Sequence, residues 1–194
     1  MGLNMTGSGK RFFKNMPELS TRRLVLRRLR KTDVDDIFDY ASRPVVTKYT
    51  IWDYHRTNKE TKAFIKRVTE KYKHGEPVSW AVTDKRSGKV IGTAGYEFYS
   101  SIHKTAGIGY AISPDYWNKG YMTEAVKKII EFGFKKIGLN RIEAVCDIKN
   151  IGSARVMEKA GMKFEGIQRS RIITAKGRVH DVKSYAITRK DFYK

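Results

Sequence analysis

The chain of 194 residues is poor in cysteine and in acidic side chains, and it has no long apolar run. Its single cysteine, Cys146, excludes an internal disulfide and lies in the alternating stretch EAVCDI, which favours a buried small hydrophobe over a nucleophile. No run of about 18 apolar residues is present, so no membrane span is predicted. The start, MGLNMTGSGKRFFKN, lacks the apolar stretch of a signal peptide. These absences favour a cytoplasmic protein.

Negative charge is scarce, since 40 lysines and arginines stand against 20 aspartates and glutamates for a formal net charge of +20. Such a charge speeds encounters with anions and slows encounters with cations. The composition therefore favours nucleic acid, the ribosome surface, acidic protein segments or phosphorylated cofactors as partners. The alternative, a basic soluble protein without an anionic partner, stays open. Net charge carries no information about fold.

Apolar residues make up 40% of the chain, enough for one sizeable α/β domain. Residues 1–18 are polar and dotted with glycine, which predicts a flexible basic arm. Residues 19–194 contain no linker, repeat or low-complexity block, so they are predicted to form a single domain. Period-two and helical patterns follow one another there in the order β-α-α-β-β-β-α-β-α-β-β, which indicates a mixed α/β sheet.

The stretch PDYWNKGYMTEAV joins a central strand to a long helix and predicts an anion site. A tight strand–loop–helix junction exposes unpaired backbone N–H groups where the helix dipole favours negative charge. Gly120 lets the backbone approach an anion without a Cβ in the way, and Lys119 adds a positive charge. The two commonest phosphate motifs, G-x-x-x-x-G-K-[ST] and G-x-G-x-x-G, are absent. An ordinary helix start is the alternative interpretation.

Motifs along nearly the whole chain resemble those of the GNAT acetyltransferases, and within them the Rim-type branch that acetylates N-terminal alanines of ribosomal proteins. In order they are TRRLVLRRL, VIGTAGY, GIGYAISPDYWNKGYMTEAV, LNRIEAVCDIKNIGSARVMEKAGMKFEG and D-V-x-x-Y-A-I. The superfamily signature Gln/Arg-x-x-Gly-x-Gly/Ala falls on Trp117, Gly120 and Met122. Only the glycine fits, although Trp in the first position is usual in the Rim branch.

The resemblance implies the GNAT fold, a central mixed and mostly antiparallel twisted sheet of about seven strands, flanked by about four helices. Two central strands would splay apart. It also implies acetyl-CoA as co-substrate. His55, His74 and His180 lie scattered without metal-ligand spacing, so no metal is predicted.

The resemblance further implies which residues bind acetyl-CoA. The backbone of the loop would wrap the pyrophosphate, the edge of one splayed strand would pair with the pantetheine arm, and residues beyond the other strand would complete the site. Met122 departs from the family pattern, but binding by backbone amides tolerates a side chain there. Asn150 is equally well explained as a helix N-cap. The implied residues are Tyr110, Ala111, Ile112, Asn118, Lys119, Gly120, Tyr121, Met122, Thr123, Asn150 and Ser153.

Acyl transfer from a thioester needs a neutral amine, a polarised carbonyl and a protonated leaving thiolate. Many GNAT enzymes use a Tyr on the helix that here reads SARVMEKAG and contains none, so the resemblance implies Ser153 as the acid, with helix capping as the alternative. Glu97 is the candidate base, with a water relay or a plain surface role as alternatives. His103, Tyr96 and Tyr99 are weaker candidates. A backbone N–H near residues 110–112 would hold the carbonyl oxygen.

The expected acceptor is the N-terminal amine of a protein. An α-amine with a pKa of about 7.7–8.0 is partly neutral at pH 7, whereas a lysine at about 10.4 is not, and the chain shows no strongly placed base. A small-molecule amine acetyltransferase, and a basic ribosome- or nucleic-acid-binding protein with a vestigial acyl-transfer site, are the alternatives. A monomer and a homodimer are both compatible with the sequence.

Overall fold

The structure is a computed structural model that describes the backbone of residues 7–194 and the side chains from residue 11 onward. Its centre is an eight-stranded sheet with the order β1-β2-β3-β4-β5-β6-β8-β7. Every neighbouring pair is antiparallel except β5–β6, which is parallel. The mixed, mostly antiparallel sheet predicted from the sequence is confirmed, with one strand more. The strands are β1 (Leu19–Ser20), β2 (Leu24–Arg27), β3 (Ser79–Asp84), β4 (Val90–Ser100), β5 (Thr105–Ile112), β6 (Arg141–Asp147), β7 (Lys163–Ile173) and β8 (Val179–Thr188).

Helices cover both faces of this sheet. The helices of the described residues are α1 (Gly7–Lys14), α2 (Val34–Ala41), α3 (Pro44–Thr47), α4 (Asn58–His74), α5 (Tyr121–Phe132), α6 (Ile151–Lys159) and α7 (Arg189–Phe192). Helices α2 and α4 pack together on one face, and α5 and α6 pack together on the other. Along the described chain, no helix combines the length and the apolar character that crossing a bilayer requires.

The segment predicted to be a flexible arm contains helix α1. Phe13 and Met16 are 2% and 5% exposed and belong to the core. The Phe13 ring meets Tyr96 and Tyr99 edge-on, with centroid distances of 5.8 and 5.7 Å. Two buried apolar side chains, Phe13 and Met16, therefore anchor this segment to the core. Two apolar residues are too few to show a helical period in the sequence. Residues 1–6 lie outside the described part of the chain.

The sheet opens between β5 and β6. These two strands pair only over their first three residues, from Thr105 opposite Arg141 to Gly107 opposite Glu143. Beyond that point β5 runs on to Ile112 and β6 to Asp147, each paired only on its outer side, with β4 and β8. The splayed central pair expected from the resemblance is confirmed. The gap exposes two strand edges whose backbone groups need partners.

Alternation fixes which side chains face which side of this gap. Tyr96 donates its hydroxyl to the carbonyl of Ile129 in α5, 2.9 Å away. Tyr110 follows two residues after Ile108, which lies opposite Tyr96, and so it points to the same side. We call this side, covered by α5 and α6, the helix α5 face. The other side, on which α2 and α4 lie, is called the helix α2 face.

Candidate active site

The loop before α5 forms the cradle of backbone amides that the sequence predicts. Asn118 and Gly120 both adopt left-handed conformations, with φ of 58° and 76°, and turn the chain into the helix. Gly120 is the N-cap and provides no side chain to bond the first-turn amides. Among the described residues, no hydrogen-bond acceptor is found for the N–H groups of residues 118–123. A row of free amides at a helix N-terminus is a site for an anion.

The side chains of this loop mostly turn away from the amides. Lys119 donates its ammonium to the Asp115 carbonyl at 2.8 Å, so its charge lies back over the preceding turn. Met122 is 4% exposed and sits in the core, so its side chain does not lie over the free amides. Trp117 donates its indole N–H to the Ile112 carbonyl at 3.0 Å and so ties the loop to the end of β5. Thr123 is half-buried in the first turn of α5.

A brace from the other end of the chain holds the loop in place. Arg23 donates to the Lys119 carbonyl at 3.0 Å and to Glu124 Oε2 at 2.7 Å, and its guanidinium lies 4.0 Å from the Tyr121 ring centroid. Thr21 and the Arg23 amide donate to the second carboxylate oxygen of Glu124. Partial burial works to raise the pKa of Glu124, but these hydrogen bonds outweigh it and lower that pKa. Sequence reasoning missed this brace.

We expect Glu124→Gln to destabilise the fold by about 1–2 kcal/mol at pH 7, because charge-assisted hydrogen bonds from Arg23 and Thr21 are lost. The folded-state pKa of Glu124 is lowered, so its contribution is complete above its unfolded value of about 4.3 and disappears as the pH falls through the folded value. The parent and the variant should therefore converge in acid.

Denaturant unfolding at pH 7 and at pH 3 provides the measurement for Glu124. Glu131→Gln is the control in the same helix, since among the described residues Glu131 pairs only with Lys128 and Lys135, at the surface. Its removal should change stability by less than about 0.5 kcal/mol. Equal losses in the two variants, or a Glu124→Gln loss that does not depend on pH, would contradict the brace.

The splayed strands place a tyrosine beside Ser153. The Tyr110 hydroxyl lies 3.0 Å from both Ser153 Oγ and the Ser153 carbonyl oxygen. Burial raises the pKa of Tyr110, so the phenol keeps its proton. Cys146 faces the same side, and burial raises the pKa of its thiol to about 11, which agrees with its prediction as a buried hydrophobe. Strand β5 thus places a tyrosine hydroxyl beside Ser153, whereas α6 itself contains no tyrosine.

Asn150 performs the capping role that the sequence offered as an alternative. Its Oδ1 accepts the Ser153 amide at 3.1 Å, and it is the N-cap of α6. The cap leaves the Asn150 side-chain N–H₂ free of protein partners within the described residues. Ala111 and Ile112 continue β5 beyond Tyr110 and are half-buried at the free edge of the gap. The predicted cofactor residues therefore lie on β5, in the loop that follows it, and on the segment that follows β6 across the gap.

Glu97 lies on the opposite side of the sheet from Tyr110. It is the extra residue of a bulge in β4, between the pairs that Tyr96 and Phe98 make with β5. The Glu97 side chain lies directly over Gly109: a Cβ added to Gly109 would be 1.9 Å from Glu97 Oε1. Desolvation raises the pKa of Glu97, and the charge of Lys71 opposes that shift. The helix α2 face thus carries this carboxyl group over Gly109, close to the last β5–β6 pair at Gly107.

The weaker catalytic candidates lie elsewhere. Tyr96 is 1% exposed, and its hydroxyl is engaged with Ile129 in the core. Tyr99 packs against Phe13, and His103 is exposed in the turn between β4 and β5. Tyr96 is therefore not the base, because its hydroxyl is buried and already donates to Ile129, so a substrate cannot reach it.

A cleft opens between the segment after α2 and the β7–β8 hairpin. It has a volume of about 380 Å³ and lies between residues 44–54 and residues 174–180. Its lining mixes aromatic and charged groups, with three lysines and arginines against one aspartate. A larger open depression of about 1030 Å³ lies beside Lys119, and its five aspartates nearly balance its six lysines and arginines. Within the described residues, no cluster of three or more His, Cys, Asp or Glu side chains is arranged to hold a metal ion.

The molecule thus has a mixed α/β architecture in which the sheet splays beside an amide-lined helix start, with a tyrosine–serine pair in the opening. The chain belongs to the acetyltransferase (GNAT) domain family, whose model matches residues 23–163. The resemblance drawn from the sequence motifs is confirmed.

Relatives and solved structures agree with this membership. The uncharacterized N-acetyltransferase p20 of Bacillus licheniformis is 31% identical over 177 residues, which cover 91% of this chain and 99% of that protein. A GNAT-family acetyltransferase structure from Bacillus anthracis has a TM-score of 0.79 at 29% identity and covers 90% of this chain and 99% of its own. The ribosomal-protein-S5-alanine acetyltransferase of Vibrio fischeri has a TM-score of 0.73 at 23% identity, covering 90% and 98%.

Proposed function

We propose that this protein transfers the acetyl group of acetyl-CoA to a primary amine, and that the amine is the N-terminus of a protein. The observation that carries the proposal is the opening between β5 and β6, which has free amides at one end and the Tyr110–Ser153 pair beside it. Membership of the GNAT family supports acetyl transfer. The chain shares its fold with the ribosomal-protein-S5-alanine acetyltransferase of Vibrio fischeri, and this similarity supports a protein acceptor.

The residues present fit acetyl-CoA. The amides of residues 118–123 are free to bind the pyrophosphate, and Gly120 keeps a side chain away from that surface. The unpaired edge of β5 at residues 110–112 would hydrogen-bond the amides of the pantetheine arm, as an added strand does. Asn150 and Ser153 would contact the arm from the other side of the gap. Acetyl-CoA supplies an acetyl group that is already activated as a thioester.

The chemistry asks the protein to position two reactants and to move two protons. The amine nitrogen attacks the carbonyl carbon, the C–N bond forms and the C–S bond breaks. A backbone N–H at the β5 edge would stabilise the carbonyl oxygen. The Tyr110–Ser153 pair would donate a proton to the leaving sulfur. On the amine side the sequence predicts Glu97 as the proton acceptor, and that assignment stays a prediction.

Charge is the best guide to the acceptor. The cleft is lined by Lys48, Lys176 and Arg178 against Asp53, and the whole chain carries +20. Asp53 already pairs with Arg56 at 2.9 Å. A cationic amine would be repelled, whereas an amine followed by acidic residues would be attracted. Spermidine is nevertheless the sharpest competitor, because the spermidine N(1)-acetyltransferase of Escherichia coli is 31% identical over 65 residues.

We expect a peptide with a free N-terminus followed by acidic residues to outperform spermidine and aminoglycosides in kcat/KM. Its advantage should shrink as salt is raised, because salt screens the attraction. The assay follows thiol release from acetyl-CoA at low and high ionic strength, and the same peptide with lysines in place of the acidic residues is the control. A win for spermidine or an aminoglycoside at low salt would favour a small-molecule acceptor.

The rival function is a basic ribosome- or nucleic-acid-binding protein with an inactive acyl-transfer site. Thermal unfolding with coenzyme A and with an oligonucleotide separates the two, because a ligand stabilises the folded state to which it binds. Coenzyme A should raise the midpoint, and the oligonucleotide should raise it less. Stabilisation by the oligonucleotide alone, without thiol release in the presence of any amine, would support the rival.

A further inference from the structure

A buried aspartate holds a histidine at the end of β6, and the sequence analysis assigns no chemical role to either residue. Asp147 is the last residue of β6 and is 2% exposed. One of its carboxyl oxygens accepts the Lys149 amide at 2.7 Å, and the other bonds Nδ1 of His180. The His180 side chain is 25% exposed. A buried carboxyl with both oxygens engaged fixes the ring to which it bonds.

This contact determines how His180 meets its surroundings. Because an ionised aspartate oxygen can only accept, Nδ1 is the nitrogen that donates to it, and the acceptor site of a neutral ring so held is Nε2. No hydrogen-bond partner for Nε2 occurs among the described residues. The same arrangement, a carboxyl orienting an imidazole whose far nitrogen is free, serves histidine bases in other enzymes. His180 is therefore built to receive a proton.

The pair lies on the side of the sheet opposite the Tyr110–Ser153 pair. Asp147 is opposite Val182 in the β6–β8 ladder, and His180 lies two residues from Val182, so both side chains point to the helix α2 face. Cys146 points the other way, to the helix α5 face. The two proton-carrying pairs thus stand on either side of the opening. An amine entering from the helix α2 face would reach the opening from the side opposite the Tyr110–Ser153 pair.

His180 also lines the cleft between residues 44–54 and the β7–β8 hairpin. Its charged neighbours there are Lys48, Asp53, Lys176 and Arg178. Glu97, the base predicted from the sequence, is not among the residues that line this cleft. An amine held in the cleft would therefore meet His180 directly, whereas Glu97 lies over Gly109 of β5.

We propose that His180 is a catalytic residue that takes the proton of the acceptor amine, with Asp147 as its positioning residue. The inference rests on the proposed acetyl transfer. As the amine nitrogen bonds the carbonyl carbon, it loses a proton to Nε2, and the resulting imidazolium is balanced by the Asp147 carboxyl group. The electron pair of the breaking C–S bond leaves with sulfur, which is protonated from the opposite face. The imidazolium then returns its proton to water, and water restores the proton that the Tyr110–Ser153 pair has donated to sulfur.

The test compares His180→Gln, Glu97→Gln and the parent, using acetyl-CoA and the acidic peptide. His180→Gln should lower kcat by roughly 10²–10⁴, the usual range for a general base, while the coenzyme A-induced thermal shift stays the same. Glu97→Gln should lower kcat far less. His74→Gln, at an exposed position in α4, is the matched control and should behave as the parent does. Parent-like kcat in His180→Gln overturns the proposal, and a larger loss in Glu97→Gln does so too.

A rescue experiment separates chemistry from structure. Added imidazole should restore part of the kcat of His180→Ala, because it fits the space left in the cleft, and should restore none to Asp147→Ala, which keeps its histidine. Absence of rescue in His180→Ala overturns the catalytic role. If the parent releases no thiol with any amine, the proposed function is wrong and this inference is wrong with it. If the parent and His180→Gln are both active, the proposed function stands and only the role of His180 is wrong.

Discussion

Removal of both hydroxyls at the opening, in the double variant Tyr110→Phe/Ser153→Ala, is expected to lower turnover by roughly 10²–10⁴, the range typical of a general acid. The two oxygens lie 3.0 Å apart on the helix α5 face, so either can pass a proton to sulfur through the other. Each single variant keeps one donor and should lose less. The effects should therefore combine non-additively, as expected for groups in one hydrogen-bond network.

Turnover and coenzyme A affinity are measured separately for these variants, because the acid is expected to act on kcat and not on binding. Tyr193→Phe, which removes a hydroxyl from an exposed tyrosine near the C-terminus, is the control. Thermal unfolding identifies any variant that is simply destabilised. A folded double variant that turns over as fast as the parent would show that sulfur takes its proton from water, and the role assigned to Ser153 and Tyr110 would be abandoned.

The fold was predictable from the sequence because its elements are built from local patterns. The alternation in TAGIGYAISP and NRIEAVCDI defines the two central strands, and the apolar face of residues 121–132 defines α5. The loop at Gly120 was also predictable as a tight junction between a strand and a long amphipathic helix, whereas the positive φ of Gly120 is known from the structure. The packed helix α1 was not predictable, because the ring that Phe13 packs against, Tyr96, lies far away along the sequence.

The side-chain pairs of the candidate site depend on contacts between distant parts of the chain. Tyr110 meets Ser153 across 43 residues, and His180 meets Asp147 across 33. The second contact requires β8 to lie beside β6, although β7 comes between them in sequence. It also depends on the register of β6 with β8, which places Asp147 opposite Val182. No local pattern encodes these pairings, so the sequence analysis named Ser153 and Tyr110 without their contact and assigned no chemical role to His180 or Asp147.

The Gly120→Val variant is expected to weaken coenzyme A binding by roughly 5- to 150-fold, which corresponds to about 1–3 kcal/mol. Gly120 has a φ of 76°, a conformation that a β-branched residue adopts only with strain of that size. A Cβ built there would lie 3.6 Å from Arg23 Nη2, an ordinary contact. The fold can therefore accommodate the side chain. The loss of coenzyme A affinity would come from strain in the loop backbone and from methyl groups that lie at the free amides.

Gly138→Val is the control for Gly120→Val. Gly138 ends the helical segment that follows α5 and has a φ of 78°, and a Cβ there would lie 4.0 Å from Arg189 Nη2. The two glycines thus share the same backbone strain and the same kind of neighbour, but only Gly120 lies at the free amides. Both variants should lose similar stability, and calorimetric titration with coenzyme A should show weaker binding in Gly120→Val alone. Parent-like affinity in a folded Gly120→Val protein would mean that the pyrophosphate binds elsewhere, whereas equal losses in both variants would trace the effect to stability and not to the amide cradle.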